Sequence, residues 1–146
     1  MRRHLLVTND FPPKVGGIQS YLWELWRRLP PEDAYVYTTP YEKSSMFDAA
    51  EAYRIKRSIE PVLLPHPFLP KRIKKLSQNF EAEMVIWDPA LPVGLSAIRT
   101  GIPYGVILHG AEVTIPGRLP LTRSLLSRVL RGAAVVICAG SYPAAE

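Results

Sequence analysis

Apolar residues along the 146-residue chain fall into two alternating kinds of run. Short continuous runs rich in β-branched and aromatic residues lie at His4–Thr8, Tyr35–Thr38, Met84–Trp87, Tyr104–Leu108 and Ala134–Cys138, with a shorter one near Tyr53–Ile55. Continuous rather than alternating hydrophobicity marks strands covered on both faces, as in a parallel sheet. Between several of them, stretches at 18–29, 71–82, 91–100 and 121–131 carry a helical period. The clearest puts Ile18, Tyr21, Leu22, Leu25, Trp26 and Leu29 on one stripe, with Gln19, Ser20, Glu24, Arg27 and Arg28 opposite. Pro30-Pro31 ends it, because proline lacks the N–H that the helical ladder needs. Strands and helices alternating on this scale predict a doubly wound α/β domain, Rossmann-like, with a parallel sheet between helix layers.

In such folds functional groups gather at the carboxyl ends of the strands. Those ends read Asn9-Asp10, Thr38-Thr39, Asp88-Pro89, His109-Gly110 and Ala139-Gly140, polar or glycine at each one. The first opens into Asn-Asp-Phe-Pro-Pro-Lys-Val-Gly-Gly-Ile-Gln-Ser-Tyr, residues 9–21, which joins a strand to a helix through Gly16-Gly17. A glycine turn at a helix start can hold an anion, because backbone N–H groups and the positive end of the helix dipole point into it. It can equally be a tight turn and nothing more. Neither G-x-x-x-x-G-K-[ST] nor G-x-G-x-x-G occurs in this loop, so the residues alone leave both readings open.

His109 follows the buried-type run Val106-Ile107-Leu108 and precedes Gly110, so it is expected to emerge at the sheet's carboxyl edge facing the glycine turn. There an imidazole can hydrogen-bond a substrate or exchange a proton near neutral pH; it can also simply cap a loop. His4 and His66 have no comparable setting. A metal site needs clustered ligands, and one cysteine with three scattered histidines supplies none, so no metal is expected. Asp10 and Asp88 both sit at strand ends, although nothing in the sequence requires them to meet. Gly94-Leu95-Ser96-Ala97-Ile98 lacks the second glycine of a nucleophile elbow and falls within a helical pattern.

Composition narrows the class. No window approaches the roughly 18 uninterrupted apolar residues of a membrane-spanning helix. The start, Met-Arg-Arg-His, leads into a run too short for a signal peptide and shows no cleavage site. Cys138 is the only cysteine and lies in an apolar run, which fits a reduced thiol in the cytosol. The net charge of +5 is concentrated, since residues 54–75 hold seven lysines and arginines against Glu60 alone. Within that region, Pro67-Phe68-Leu69-Pro70-Lys71-Arg72-Ile73-Lys74-Lys75-Leu76 mixes bulky apolar residues with a basic cluster. It suits either an anionic membrane surface or a solvated helix face. No nucleic-acid-binding motif accompanies the charge. The last residues, Ser141-Tyr142-Pro143-Ala144-Ala145-Glu146, read as the first turn of a helix, so the chain is expected to be the N-terminal piece of a longer protein.

With these features in place, Asn9–Tyr21 and Leu108-His109-Gly110-Ala111-Glu112, with Pro116-Gly117 downstream, resemble the N-terminal domain of the retaining, GT-B fold glycosyltransferases of family 4. The likeness is greatest to the phosphatidylinositol mannosyltransferases of the PimB type. It runs in order through residues 1–146, with strong matching only at these two blocks. The resemblance implies an acceptor-side Rossmann-like domain whose nucleotide-sugar partner domain is absent from this chain. It implies a retaining hexosyl transfer, mannose from GDP-mannose, to a phosphatidylinositol-type lipid on an anionic membrane. It also implies a cytoplasmic, peripheral location and no cofactor or metal.

By the same resemblance, Gly16 and Gly17 approach the donor diphosphate, His109 contacts the transferred sugar, and Asp10, Gln19 and Glu112 face the acceptor. Phe68, Lys71, Arg72, Lys74 and Lys75 would meet the membrane. The family's basic pair and glutamate pair belong to the missing domain, so the 146-residue chain alone is expected to transfer no sugar. Two alternatives stand beside this reading. One is a family 4 transferase with another nucleotide sugar or a polysaccharide acceptor. The other is a non-catalytic membrane-binding module.

Overall fold

A computed structural model of the chain describes residues 2–111 and 119–140. Six strands, β1 (His4–Thr8), β2 (Ala34–Thr38), β3 (Arg54–Arg57), β4 (Met84–Asp88), β5 (Tyr104–Leu108) and β6 (Val135–Cys138), form one parallel sheet in the order β3-β2-β1-β4-β5-β6. The order reverses direction between β1 and β4, which leaves a crevice at their carboxyl ends. Side chains alternate across the sheet and feed two cores. Leu5, Val7, Tyr37, Val85, Trp87, Val106 and Leu108 point to one, and Leu6, Val36, Ile86 and Ile107 to the other.

The second core is covered by helix α1 (Gly17–Trp26), with Phe47 of helix α2 (Ser44–Ala50) packed at its margin. The first is covered by helix α3 (Phe68–Phe80), a 3₁₀ segment at Val93–Arg99 and helix α4 (Pro120–Gly132). Among the described residues every helical segment lies in a crossover between parallel strands. This is the doubly wound Rossmann-like architecture that the periodicity predicts.

The differences have local causes. Helix α1 ends at Trp26 rather than Leu29, because the residue before a proline is driven out of the helical region. Arg28 and Leu29 instead make tighter bonds to the carbonyls of Leu25 (3.2 Å) and Trp26 (3.1 Å). Its inward face is Gln19, Leu22 and Trp26, while Leu25 is exposed. Helix α3 begins at Phe68, three residues before Lys71, since Pro70 sits in a first turn whose N–H groups have no helical partner anyway. The 91–100 pattern becomes a 3₁₀ segment; it opens after Pro89 and Pro92, which have no N–H to give. Helix α2 is too short to announce itself by periodicity. Val135 and Val136 of β6 are partly exposed and Cys138 is half-buried, because β6 is an edge strand.

Candidate active site

The crevice is built on a register. Thr8 and Asp88 are Cα partners at the ends of β1 and β4, so their side chains meet where the strand order reverses. Both are wholly buried, and the Thr8 hydroxyl donates to Asp88 Oδ2 at 2.7 Å. The other carboxylate oxygen, Oδ1, pairs with Nε2 of His109, which stands just past the end of β5. A buried carboxylate is tolerable only when its oxygens are satisfied, and here the two strands on either side of β4 satisfy it. The His109 side chain is 11% exposed, so the ring is held from below and open only at its rim. Gly110 follows at φ 110°, a backbone conformation open mainly to glycine, which lets the chain turn directly after the histidine.

The glycine loop is tied to the same network. The Asp10 N–H donates to Thr8 Oγ1 at 2.9 Å, and Asp10 Oδ1 accepts from Gln19 Nε2 at 2.9 Å and from Lys14 Nζ at 3.3 Å. Gln19 is buried in the first turn of α1 and lies against Gly16, where an added Cβ would stand 2.1 Å from Oε1. Gly16 is therefore glycine because the Gln19 amide occupies that space. Gly17 differs, since a Cβ there would meet nothing within 4 Å among the described residues. Among the described residues no side chain caps the start of α1. One turn further, the Tyr21 ring stands edge-on to the His109 imidazole, with centroids 5.9 Å apart and planes at 86°. The helix that begins at the glycines and the strand-end histidine thus share one side of the crevice.

The loop before the glycines is held from beneath. Phe11 is buried and packs edge-on against Phe47 and Tyr53. Arg57, at the end of β3, donates to the Pro12 carbonyl (2.7 Å), the Thr39 carbonyl (3.0 Å) and both Asp48 oxygens (2.7 and 3.1 Å). Asn9 exchanges two hydrogen bonds with the backbone of Leu63, at 2.7 and 3.0 Å. The sequence shows Arg57 only as one of a basic group and gives Asn9 no partner. Arg57 within hydrogen-bonding reach of a strand-end loop is visible only once β3 is placed beside β2.

The sequence-predicted residues divide into two places. Gly16, Gly17, Asp10, Gln19 and His109 converge on the β1/β4 crevice; Glu112 lies outside the described residues. Asp10 and Asp88, whose meeting the sequence left open, are linked through Thr8. Phe68, Lys71, Lys74 and Lys75 are exposed on α3. Arg72 is drawn aside, with its guanidinium donating to Glu60 (2.6 Å) and to the Tyr37 hydroxyl (3.1 Å), and it holds the Glu60 carboxyl below the usual range. Among the described residues no three His, Cys, Asp or Glu side chains gather as a metal would need.

Comparisons with known proteins bear on the kind of chain and on its fold. No protein-family model matches the chain. A GDP-mannose-dependent alpha-(1-6)-phosphatidylinositol monomannoside mannosyltransferase of Mycobacterium tuberculosis is 38% identical over 97% of the chain and 39% of its own length. Its namesake from Mycolicibacterium smegmatis is 36% identical over 94% of the chain and 38% of its length. Among solved structures, Anabaena Alr3699/HepE in complex with UDP and glucose superposes with a TM-score of 0.68 at 15% identity, covering 97% of this chain and 39% of that one. Acinetobacter baumannii MurG superposes at 0.57 and 20% identity, covering 94% of this chain and 41% of that one. At those identities the structures speak for the fold alone. The chain spans about two fifths of the length of the relatives it matches. By sequence the chain is similar to part of these phosphatidylinositol monomannoside mannosyltransferases, and by fold to the matching part of solved GT-B structures.

Proposed function

We propose that this chain is the acceptor-side, N-terminal domain of a retaining mannosyltransferase that moves mannose from GDP-mannose to a phosphatidylinositol-type lipid. The observation that supports it most is the meeting of α1 and His109 at the β1/β4 crevice, through the edge-on contact of Tyr21. In the reaction, negative charge builds on the departing diphosphate as the glycosidic bond breaks. The uncapped start of α1, beside the open side of Gly17, offers that charge fixed N–H dipoles. One such donor is worth about 2.7–4 kcal/mol of transition-state stabilisation where it has been removed from other enzymes. With that work done by dipoles and basic side chains, no divalent metal or other cofactor is needed.

His109 meets the transferred sugar near the reacting carbon, and Asp88 holds the ring and stabilises any positive charge it gains. Asp10, Gln19 and Glu112 face the acceptor. Retention follows from attack on the same face as the leaving phosphate, which takes up the acceptor's proton. Lys71, Lys74 and Lys75, with Phe68, bring α3 onto the cytoplasmic face of an anionic membrane, where the lipid acceptor lies; Arg72 takes a lesser part because Glu60 already holds it.

A partner domain carries the groups that grip the nucleotide, so the 146-residue chain alone transfers no sugar. The test is to express the longer protein carrying this chain and offer it GDP-mannose or UDP-glucose with phosphatidylinositol monomannoside. Transfer from GDP-mannose giving an α-linked product supports the reading. Transfer from UDP-glucose alone, a β-linked product, or turnover by the isolated chain would each refute the corresponding part.

A further inference from the structure

Helices α3 and α4 lie on the same face of the sheet, with the Val93–Arg99 segment between them. Leu69, Ile73 and Leu76 of α3, Val93 and Ala97 of that segment, and Leu126 and Val129 of α4 share one core. Each helix carries the chain back from the carboxyl end of one parallel strand to the start of the next. They therefore run side by side in the same direction, and both begin at the carboxyl edge where the crevice opens.

Their outward faces match in chemistry. Lys71, Lys74 and Lys75 are exposed on α3, and Arg123, Arg128 and Arg131 are exposed on α4, with exposed Arg99 between them. Neither helix contains an acid. The arginines of α4 recur with Ser124 and Ser127 along one stripe opposite buried Leu126 and Val129. The apolar residues match as well. Leu64 (52% exposed) and Phe68 (68%) stand at the start of α3, and Leu119 (55%) and Leu121 (73%) at the start of α4.

We propose that α4 is a second membrane-docking leg, so that α3 and α4 together seat the domain on an anionic lipid bilayer. The inference rests on the reading of α3 given above and extends it. Two parallel basic stripes, each led by exposed leucine or phenylalanine, fit a surface with anionic headgroups outside and hydrocarbon just beneath. A nucleic acid offers no hydrocarbon to four exposed apolar side chains. A second copy of this face would set like charges against each other. Two legs also fix the orientation of the crevice to the bilayer, which one helix cannot do because the domain could roll about its axis.

The test is co-sedimentation of the protein with phosphatidylcholine vesicles, with and without phosphatidylserine. Each base near such a surface strengthens binding about fivefold, so Arg123→Gln/Arg128→Gln/Arg131→Gln should weaken binding to the anionic vesicles on the order of 100-fold. Lys71→Gln/Lys74→Gln/Lys75→Gln should do the same, and neutral vesicles should bind both variants and the parent weakly. Because Leu121 is exposed, Leu121→Trp reports the same contact without disturbing the fold, and its emission should shift to the blue only on anionic vesicles.

Loss of binding in the α3 variant with none in the α4 variant, and no emission shift, overturns the second leg and leaves α3 standing. Absence of anionic-vesicle binding by the parent protein overturns both. A change in oligomeric state in the α4 variant, with vesicle binding intact, assigns the face to self-association and also overturns the proposal.

Discussion

Asp88 and His109 form a pair in which the acid is completely enclosed and the base is not. The carboxylate receives Nε2 of His109 on one oxygen and the Thr8 hydroxyl on the other, from strands on opposite sides of β4. The pair ties the crevice floor to the imidazole rim, so the ring's orientation is set by the sheet register rather than by a loop. Such a carboxylate is a positioning group, since it lies beneath the histidine and does not reach the crevice itself.

Replacing Asp88 with asparagine keeps the size and removes the charge. Hydrogen bonds to charged groups contribute about 1.5–3 kcal/mol, so on the proposed function Asp88→Asn should lower turnover of the longer protein carrying this chain by roughly 10- to 150-fold. Thr8→Val should instead appear mainly in stability, lowering it by about 1–3 kcal/mol through a buried oxygen left unpaired. Chemical denaturation paired with steady-state rates separates the two.

The two loop glycines should respond differently. In Gly16→Ala the new methyl collides with the Gln19 amide and pushes it off Asp10, which should cost about 1–3 kcal/mol of stability. Gly17→Ala meets open space, so its melting temperature should stay close to the parent's while turnover falls, if the donor diphosphate approaches there. Thermal melts paired with initial rates check both. Equal destabilisation by the two would contradict the difference in surroundings.

Arg57 donates four hydrogen bonds from its planar guanidinium, one of them to the Pro12 carbonyl of the loop that carries the glycines and three that fix the arginine on Thr39 and Asp48. Lysine has no such fork, so Arg57→Lys should cost about 1–3 kcal/mol and raise hydrogen exchange at the loop amides near Pro12. Unchanged exchange would show that Phe11, Asn9 and Asp10 pin the loop without Arg57.

Burial pushes the His4 imidazole below the usual histidine range, against the hydrogen bond to the Arg2 carbonyl, which pulls it up. The unfolded chain then binds the proton more readily than the folded one. Stability due to neutral His4 is therefore complete above pH about 6.5 and declines as pH falls below that toward the folded value. His4→Phe, which keeps a ring against Trp26, should flatten that part of the pH–stability curve measured by denaturation.

Much of this was legible in the sequence because strand ends are where a doubly wound fold exposes polar groups. His109 after Val106-Ile107-Leu108, and the glycines before the Ile18–Trp26 stripe, were readable from period alone. That they face each other was expected at the carboxyl edge, but the contacts by which they do so depend on β4 lying between β1 and β5, which only pairing decides. The same holds for Thr8–Asp88, a contact across 80 residues of sequence. Gln19 shows a different limit: polar in the helical pattern, it is buried because Asp10 and the bare face of Gly16 make a place for it. Arg57 and Arg72 read as surface charge but spend their donors inside, on Asp48, Pro12, Tyr37 and Glu60.

The most direct measurement of the proposed function is the rate of mannose transfer from GDP-mannose by the longer protein carrying this chain and by its His109→Ala variant, with folding checked by circular dichroism. The crevice described above predicts a loss of about 100-fold or more in kcat/KM with the fold and vesicle binding retained, in line with a lost transition-state contact. Turnover equal to the parent's would remove His109 from the chemistry and contradict the placement of sugar transfer at the β1/β4 crevice.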